Sequence, residues 1–296
     1  MKNYSIHQIS KPLKSIWRLK MIKLLMYSMI DRFGKSLVPL FHSNPKNVDV
    51  DNITIKGLRL HHARPLSIVH ISDLHVGFQY NYHDLIEHIK IINKLQPDIV
   101  MITGDLFDNL EVFKENPNDY IPLLKTIKAP LGVYFSYGNH DQRTHLTHDL
   151  ETVLTNSHIT VLNNFGKYIN YDGEEIYICG TDDILNASGN IEQAIRNRNH
   201  PNDYTITLVH EPDYADFVKK FNVDLQLSGH SHGGQIFIPM LGAPIKPSLG
   251  RKYLKGLFNL KYKKHSMYLH VSRGLGSTHL PIRFFAKPQI TKIYIK

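Results

Sequence analysis

The sequence predicts an α/β sheet protein, and two features of its apolar pattern support this class. Short apolar runs rich in β-branched residues recur along the chain, and runs of this length are typical of strands buried on both faces. In chain order they are LSIVHIS, DIVMIT, GVYFSY, IYICG, TITLVH and VDLQLS. Segments with the apolar spacing of helices lie between them, such as NYHDLIEHIKIINKLQP and DYADFVKKF. With 296 residues, of which 42% are hydrophobic, the chain can bury a substantial core.

Residues 1–50 differ in composition from the rest and are predicted to be a basic amphipathic segment and a linker. Residues 11–41 mix apolar and basic residues at spacings that a helix would separate onto different faces. Lys23 interrupts the apolar stretch, which falls far short of the ~20 residues that span a bilayer. No small-residue cleavage site follows, as a secretory signal would require. We expect residues 11–41 to bind an anionic membrane surface peripherally; a helix packed on the protein's own core is the alternative.

The folded domain is predicted to occupy residues 51–296. The polar, proline-containing stretch HSNPKNVDVDN is interpreted as the linker before it, and ITIKGLRL then alternates like a half-exposed strand. The single cysteine, Cys179, cannot form an intramolecular disulfide, so nothing requires an oxidising compartment. Zinc clusters built from cysteines are excluded for the same reason, and Cys179 is expected to be a small buried hydrophobe.

Charge is distributed unevenly along the chain. Residues 1–64 carry 12 Lys and Arg against 3 Asp and Glu, residues 65–224 carry 11 against 23, and residues 225–296 carry 12 against none. The three segments therefore have net charges of +9, −12 and +12. This distribution fits a protein with one polarised face that meets a membrane or an anionic substrate. The acidic middle segment argues against long nucleic acid, whose binding draws on many phosphate contacts.

Side chains that can bind metal follow most of the predicted strands. In chain order these are Asp73 and His75, then Asp105 and Asp108, then Asn139, His140 and Asp141, then His210, and finally His230 and His232. In open α/β sheets ligands bind beyond the carboxyl ends of strands, so we expect these residues to converge on one edge as a metal site. Each short motif alone is weak evidence, and only the ordered set points to a site. Six other histidines lie in polar surroundings and are expected to be solvated: His61, His62, His83, His88, His145 and His148.

The ordered set DLH, GDLFD, GNHD, VH and GHSH resembles the calcineurin-like metallophosphoesterases over roughly residues 53–296. The flanking segments RPLSIVHISDLHVG, GHSHGGQI and VSRGLGSTHLPIRFFAKPQI are similar to the bacterial YaeI/YkuE-type branch, phosphodiesterases associated with membrane or envelope. The resemblance implies two packed mixed β-sheets flanked by helices, in a four-layer αββα sandwich. It also implies a site with two divalent metal ions.

By matching position, the resemblance implies two ligand sets that share one carboxylate. One metal would be held by Asp73, His75 and His232 and the other by Asn139, His210 and His230, with Asp105 bridging both. Imidazole, carboxylate and amide oxygen together favour Mn, Fe, Zn or Co over Ca or Mg, and the choice among the four stays open. Two dications outweigh two carboxylates, so the site would keep a positive charge that attracts phosphate.

The expected reaction is hydrolysis of a phosphodiester by a hydroxide that bridges the two metals. Neighbouring residues of an extended chain point in opposite directions, so if Asn139 binds a metal, His140 is free to protonate the leaving group. The resemblance implies that Asp108 hydrogen-bonds His140 and sets its tautomer; a turn-capping aspartate is the alternative. A nuclease or cyclic-nucleotide phosphodiesterase, or a metal-bearing scaffold without turnover, are the alternative functions. The intact His140 argues against the scaffold.

The substrate is predicted to be lipid-linked, and no protein partner is implied. The stretch GGQIFIPMLGAPIKPSLGRKYLKGLF places apolar residues beside cations after the last metal motif, which suits a lipid phosphodiester. Strand and core packing is the alternative for this stretch. Arg18 stands alone in WRLK, whereas relatives exported by the twin-arginine route carry paired arginines. We therefore expect peripheral attachment on the cytoplasmic side of the membrane, with export to the envelope as the alternative.

Overall fold

The strands of the protein form two mixed sheets. The computed structural model describes residues 47–57, 60, 64–143, 147–280 and 282–296. Within this part the strands are β1 (Asp49–Ile55), β2 (Leu66–Ile71), β3 (Ile99–Thr103), β4 (Val133–Ser136), β5 (Ile159–Val161), β6 (Phe165–Tyr171), β7 (Glu174–Gly180), β8 (Thr205–Leu208), β9 (Leu225–Ser228), β10 (Gly256–Tyr262), β11 (His265–Val271) and β12 (Gln289–Ile295). Sheet I has the order β1-β12-β2-β3-β4-β5 and sheet II the order β10-β11-β9-β8-β7-β6.

The helices of the described residues are mostly short. They are α1 (Tyr82–Lys94), α2 (Ile121–Leu124), α3 (Thr147–Asn156), α4 (Ile191–Ala194) and α5 (Ala215–Val218), with single 3₁₀ turns at Leu110–Val112, Pro117–Tyr120, Pro212–Tyr214, Lys219–Phe221 and His232–Gly234. None of these helices has the length and apolar character needed to cross a bilayer. The predicted membrane segment, residues 11–41, lies outside the described residues.

Helix α1 begins where a capping box predicts a helix start. The Asn81 side chain accepts hydrogen bonds from the backbone N–H groups of His83 and Asp84, and the Asp84 carboxylate accepts from the Asn81 N–H. His83 is exposed as predicted, but the prediction that His88 is solvated is wrong. His88 falls on the buried face of α1, where its Nδ1 lies 2.7 Å from the Tyr80 hydroxyl.

All six predicted runs form strands, namely β2, β3, β4, β7, β8 and β9. Strands β2, β3, β4 and β5 pair in parallel in that order, and so do β7, β8 and β9. Every residue of β2, β3, β4, β8 and β9 is buried, because both faces of each sheet are covered. The edge strands β6 and β10 lack the continuous apolar run, because exposed residues interrupt both: β6 mixes exposed with buried and half-buried residues, and β10 alternates exposed with half-buried ones.

Three apolar clusters separate four layers. One lies between the two sheets and joins Ile68 and Met101 of sheet I to Ile178 and Leu227 of sheet II. A second packs the outer face of sheet I against α1 and α3, and a third packs the outer face of sheet II against α4 and α5. Cys179 is buried in the third cluster, as expected. The predicted arrangement of two mixed sheets flanked by helices is confirmed.

The start of β2 is tied to the start of β3 by one buried carboxylate. Asp98, which is 6% exposed, accepts hydrogen bonds from the Ser67 N–H at 2.8 Å and from the Ser67 hydroxyl at 2.7 Å. Arg64 also donates to Asp98 at 3.0 Å, but its side chain is 62% exposed.

We expect Asp98→Ala to lower the free energy of unfolding by about 1–3 kcal/mol, because it leaves the buried Ser67 N–H without an acceptor. Urea unfolding followed by circular dichroism measures this loss. Arg64→Ala is the control and should have a much smaller effect, because its ion pair is solvated. Equal losses in the two variants would contradict a special role for the Ser67 hydrogen bonds.

Candidate metal centre

The sequence-predicted ligands meet where strand ends of the two sheets come together. One ligand atom from each member of three buried groups lies within 4.8 Å of the others: Asp73, His75 and His232; His75, Asp105 and His140; and Asp73, Asp105 and His210. Asp73 and His75 follow β2 of sheet I, whereas His210 follows β8 of sheet II. The predicted convergence on one edge is therefore observed.

Several of these residues have a left-handed backbone, which L-amino acids with side chains seldom adopt. Positive φ angles of 50°, 49°, 54°, 66° and 51° occur at Asp73, His75, Asp105, His230 and His232. Such conformations cost about 1–3 kcal/mol each and persist only where surrounding contacts impose them. Here the N–H groups of Asp73 and His75 donate to the carbonyls of Gly104 and Asp105, both at 3.0 Å. Backbone hydrogen bonds between the two loops thus hold the strained residues in place.

The first half of the site brings His75, His232 and Asp73 together. His75 Nε2 lies 3.1 Å from His232 Nε2 and 3.5 Å from Asp105 Oδ2, and His232 Nε2 lies 3.5 Å from Asp73 Oδ1. The other nitrogen of His75, Nδ1, donates to the Asp108 carboxylate at 3.0 Å. Because that bond places the hydrogen on Nδ1, Nε2 of neutral His75 carries the lone pair that a metal needs.

The second half contains two nitrogens whose lone pairs are free for a cation. His210 Nδ1 donates to the Thr103 carbonyl at 2.7 Å, and its Nε2, 3.3 Å from Asp105 Oδ2, has no hydrogen-bond partner among the described residues. His230 Nε2 donates to the Ser248 carbonyl at 2.7 Å, so Nδ1 carries the lone pair and faces Asn139 Oδ1 at 2.7 Å. The Nδ1 lone pair of His230 and the Asn139 oxygen are both acceptors and would repel each other at this distance, so the pair indicates a place for a cation.

The pKa shifts indicate that the carboxylates of the site stabilise a positive charge. Burial lowers the pKa of His210, but Asp105 and Asp73 outweigh it and raise the pKa well above its usual value. Burial, with the neighbouring His210, lowers the pKa of His230 to about 4, which keeps this imidazole neutral. The carboxylates therefore favour a cation, either a proton or a metal, and neutral imidazoles stand ready as ligands. The donor set fits two divalent ions.

Asp105 lies between the two halves. Its Oδ2 is 3.5 Å from His75 Nε2 and 3.3 Å from His210 Nε2, while Oδ1 accepts the His140 N–H at 2.8 Å. A ligand shared by two ions needs this central position. Gly138 makes the approach possible, because a Cβ there would overlap Asp105 Oδ1 and the His210 ring.

Asp141, the last residue of GNHD, supports the site from behind. Its buried carboxylate accepts hydrogen bonds from the backbone N–H groups of Asp105, Leu106 and Gly138 at 2.7, 3.1 and 2.8 Å. Burial and the charge of Asp105 raise the pKa of Asp141 to about 7, while its N–H donors favour the ionised form. The sequence motif drew attention to Asp141 but gave it no role.

The predicted hydrogen bond between Asp108 and His140 is present, but the main-chain carbonyl of Asp108 accepts it and the carboxylate does not. His140 Nδ1 donates to the main-chain carbonyl of Asp108 at 2.7 Å, and the Asp108 carboxylate is 3.5 Å away because it is bonded to His75. Arg143 donates to His140 Nε2 at 3.2 Å. Burial lowers the pKa of His140 to about 4, so the free ring is neutral and Nε2 accepts.

A cleft of about 290 Å³ opens over His140. It is lined by Phe78, Asp108, Asn109, His140, Arg143, Thr278 and His279. The Thr278 hydroxyl lies 3.5 Å from both His140 Nε2 and Asp108 Oδ1. Sequence reasoning missed Arg143 and Thr278, because neither belongs to a metal motif; their only signal is proximity to the motif GNHD and to the segment GLGSTHLP.

A third residue that sequence reasoning missed is Arg283. It is 4% exposed and donates to His232 Nδ1 at 3.1 Å and to the carbonyls of Arg273 and Ala286 at 2.7 and 2.9 Å. Burial lowers its pKa to about 9. An imidazole that binds a cation through Nε2 carries its hydrogen on Nδ1, so the contact with Arg283 must loosen if His232 binds in that way.

Residues 66–234 match the family described as calcineurin-like phosphoesterase. The chain belongs to this family. It is 36% identical over 254 residues to the metallophosphoesterase YkuE of Bacillus subtilis (strain 168), covering 85% of this chain and 87% of YkuE. It is 28% identical to phosphodiesterase YaeI of Escherichia coli (strain K12), and the match covers 78% of this chain and 82% of YaeI. It is 27% identical to UDP-2,3-diacylglucosamine pyrophosphatase LpxG of Chlamydia muridarum (strain MoPn / Nigg), covering 77% and 83%.

Membership settles the enzyme class. The protein is a metal-dependent phosphoric ester hydrolase whose cofactors are two divalent metal ions, as the sequence predicted. Its relatives include proteins named as a phosphodiesterase and a pyrophosphatase.

We expect Asp105→Asn to weaken retention of both metals by about 10-fold or more, because it removes a negative charge placed between them. Metal content per chain, measured by mass spectrometry after dialysis, tests this. Asp119→Asn, an exposed acid on a 3₁₀ turn, is the control and should keep both metals. Retention of two metals by Asp105→Asn as tightly as by the parent would show that Asp105 is not the bridge.

Proposed function

We propose that the protein hydrolyses a lipid-linked phosphodiester and that His140 protonates the leaving group. The observation that carries the proposal is the placement of His140. Its Nδ1 is held by the Asp108 carbonyl, its backbone N–H is bonded to Asp105, and its Nε2 faces a cleft that an ester can enter. His140 thus adjoins the metal ligands, and its Nε2 lies 3.2 Å from Arg143 and 3.5 Å from the Thr278 hydroxyl, two residues that line the cleft.

The ligands in this proposal are those predicted from sequence. Asp73, His75 and His232 would hold one ion, Asn139, His210 and His230 the other, and Asp105 both. When bound, the two ions supply Lewis acidity toward the phosphoryl oxygens and lower the pKa of the attacking water. The protein side chains orient the ester and handle its proton.

The proton donor must be the Nε2 of protonated His140, because Nδ1 is committed to Asp108. The pKa of about 4 in the free site means that little imidazolium is present at neutral pH. An anionic phosphodiester in the cleft favours the protonated form, and so raises the pKa in the complex. Arg143 donates a hydrogen bond to His140 Nε2 in the free site, and it can donate to a phosphoryl oxygen instead when the ester binds.

Two observations support a lipid-linked substrate. The relative LpxG is named as a UDP-2,3-diacylglucosamine pyrophosphatase, which by that name acts on a nucleotide lipid. An apolar run followed by several cations also occupies residues 236–258, the stretch that follows the last metal motif. We propose peripheral attachment to an anionic membrane, on the cytoplasmic side. A panel of lipid, nucleotide-lipid, cyclic-nucleotide and DNA phosphodiesters assayed with Mn²⁺ tests the substrate; preference for DNA or cyclic nucleotides would contradict the lipid assignment.

We expect His140→Gln to keep both metals and to lose ~10²–10⁴-fold in kcat/KM on an alkyl phosphodiester, because a poor leaving group needs a proton. The loss should be smaller on a nitrophenyl diester, since nitrophenolate departs with little help. The parent's kcat on the alkyl diester should also fall as pH rises above the His140 pKa in the complex, and this limb should vanish in the variant.

The matched control is His83→Gln, which changes an exposed histidine on α1 and should behave like the parent. Equal losses on both substrates would indicate that His140 stabilises charge on the phosphoryl group instead. Full activity of His140→Gln toward the alkyl diester would remove His140 from the mechanism.

We expect residues 11–41 to contribute to membrane binding, because their net positive charge attracts anionic lipid. The full chain should float with anionic liposomes more strongly than a chain that begins at Val48, and the difference should shrink with added salt. The shorter chain keeps β1 and nearly all of Ser43–Lys296, which forms a compact unit. Equal flotation of the two chains would reject the anchor.

A further inference from the structure

A tight hairpin after the last metal motif presents two apolar side chains to solvent. Ile238 and Gly242 exchange backbone hydrogen bonds at 2.9 and 2.7 Å, which closes a loop over Pro239, Met240 and Leu241. Met240 is 103% exposed and Leu241 82%. The two hydrogen bonds close the loop, so Met240, which has a φ of 67°, and Leu241 lie at its end with both side chains exposed.

A third apolar side chain belongs to the same region. The Phe237 N–H donates to the Phe284 carbonyl at 2.8 Å, so the base of the hairpin is joined to the strand-like segment before Phe285, which is 61% exposed. The ammonium group of Lys255 lies 3.7 Å from the Phe237 ring centroid and 3.4 Å from the Phe285 carbonyl oxygen. We call Met240, Leu241 and Phe285 the apolar rim.

The part of the sequence that contains the rim carries basic residues and no acidic ones. Residues 225–296 contain 12 Lys and Arg and no Asp or Glu. Lys246 follows the hairpin and is exposed, and Lys255 lies at its base. Apolar side chains in a cationic segment match the two components of an anionic bilayer surface, its acyl boundary and its headgroups.

The rim is coupled to the catalytic cleft by one side chain. Gln235, between the His232–Gly234 turn and the hairpin, donates from Nε2 to the carbonyls of Thr278 and Leu280 at 3.0 and 2.9 Å. Its Oε1 accepts the Thr278 N–H at 3.1 Å. Because Thr278 lines the cleft beside His140, Gln235 joins the segment that bears the hairpin to the wall of the cleft.

We propose that the apolar rim inserts into the interface of an anionic lipid bilayer and so brings the mouth of the cleft to the membrane surface. This extends the lipid-linked substrate proposed above to the way in which such a substrate is reached. Insertion is independent of turnover, so a test of binding can fail or succeed separately from the proposed reaction. It is also local to the rim, which separates it from any membrane contact of residues 11–41.

The test uses a fluorophore that reports local polarity. Cys179 is the single cysteine and is fully buried, so Met240→Cys in the full chain can be labelled selectively at the rim. With vesicles of phosphatidylglycerol and phosphatidylcholine, the label should shift to the blue and brighten several-fold. Phe165→Cys is the matched control, because Phe165 is 45% exposed on β6, the edge strand opposite β10 in sheet II. Its label should not change.

A second variant tests the contribution to affinity. Met240→Gln with Leu241→Gln should lower the vesicle partition coefficient of the full chain by about tenfold or more, since two apolar side chains lose their burial. Hydrolysis of a soluble nitrophenyl diester should be unchanged, because neither residue contacts the cleft. No spectral change at position 240 while the chain floats with vesicles would overturn the proposal. A shift caused by raising protein concentration without vesicles would also overturn it, in favour of a second copy of the chain.

Discussion

The burial of two carboxylates is the constraint on which the rest of the structure depends. Asp73 and Asp105 are 0% and 1% exposed, and a buried negative charge is costly unless neighbouring groups compensate for it. Backbone N–H groups supply part of the compensation, from His230 to Asp73 at 3.0 Å and from His140 to Asp105 at 2.8 Å. Imidazoles and bound cations supply the remainder. The residues that follow five strands therefore lie where they can compensate for these two buried negative charges.

The same constraint explains the strained backbone of the site. Residues with positive φ turn the chain sharply after a strand, so that a carboxylate and an imidazole reach inward from the same loop. Such turns are unfavourable alone and need support from outside the loop. Asp141 provides this support by holding the backbone of the Asp105 loop and of Gly138 together, and the glycines leave room for the side chains. Local strain and distant hydrogen bonds are thus parts of one arrangement.

Histidines that look alike in sequence differ in chemistry because of their partners. His75 donates to a carboxylate, which raises its basicity and suits a metal ligand. His140 donates to a neutral carbonyl of the same residue, Asp108, and its other nitrogen faces the cleft. His88 is buried in helix α1, where its Nδ1 lies 2.7 Å from the Tyr80 hydroxyl, and it packs in the core. One side-chain type therefore supplies candidate ligands, a candidate acid and a core residue.

The sequence by itself determined the sheet interior, the family and the candidate ligands, because these depend on local patterns. A strand buried on both faces needs a continuous apolar run, and DLH, GNHD and GHSH keep ligand types at fixed short spacings. Edge strands such as β6 and β10 escaped notice, since half of their residues face water. Only the tertiary structure decided that the Asp108 carbonyl holds His140, that Arg283 reaches His232 and that Met240 is exposed. Hydrogen bonds and burial of this kind join residues tens of positions apart, and no local pattern encodes which atoms the packed sheets bring within 3 Å of each other.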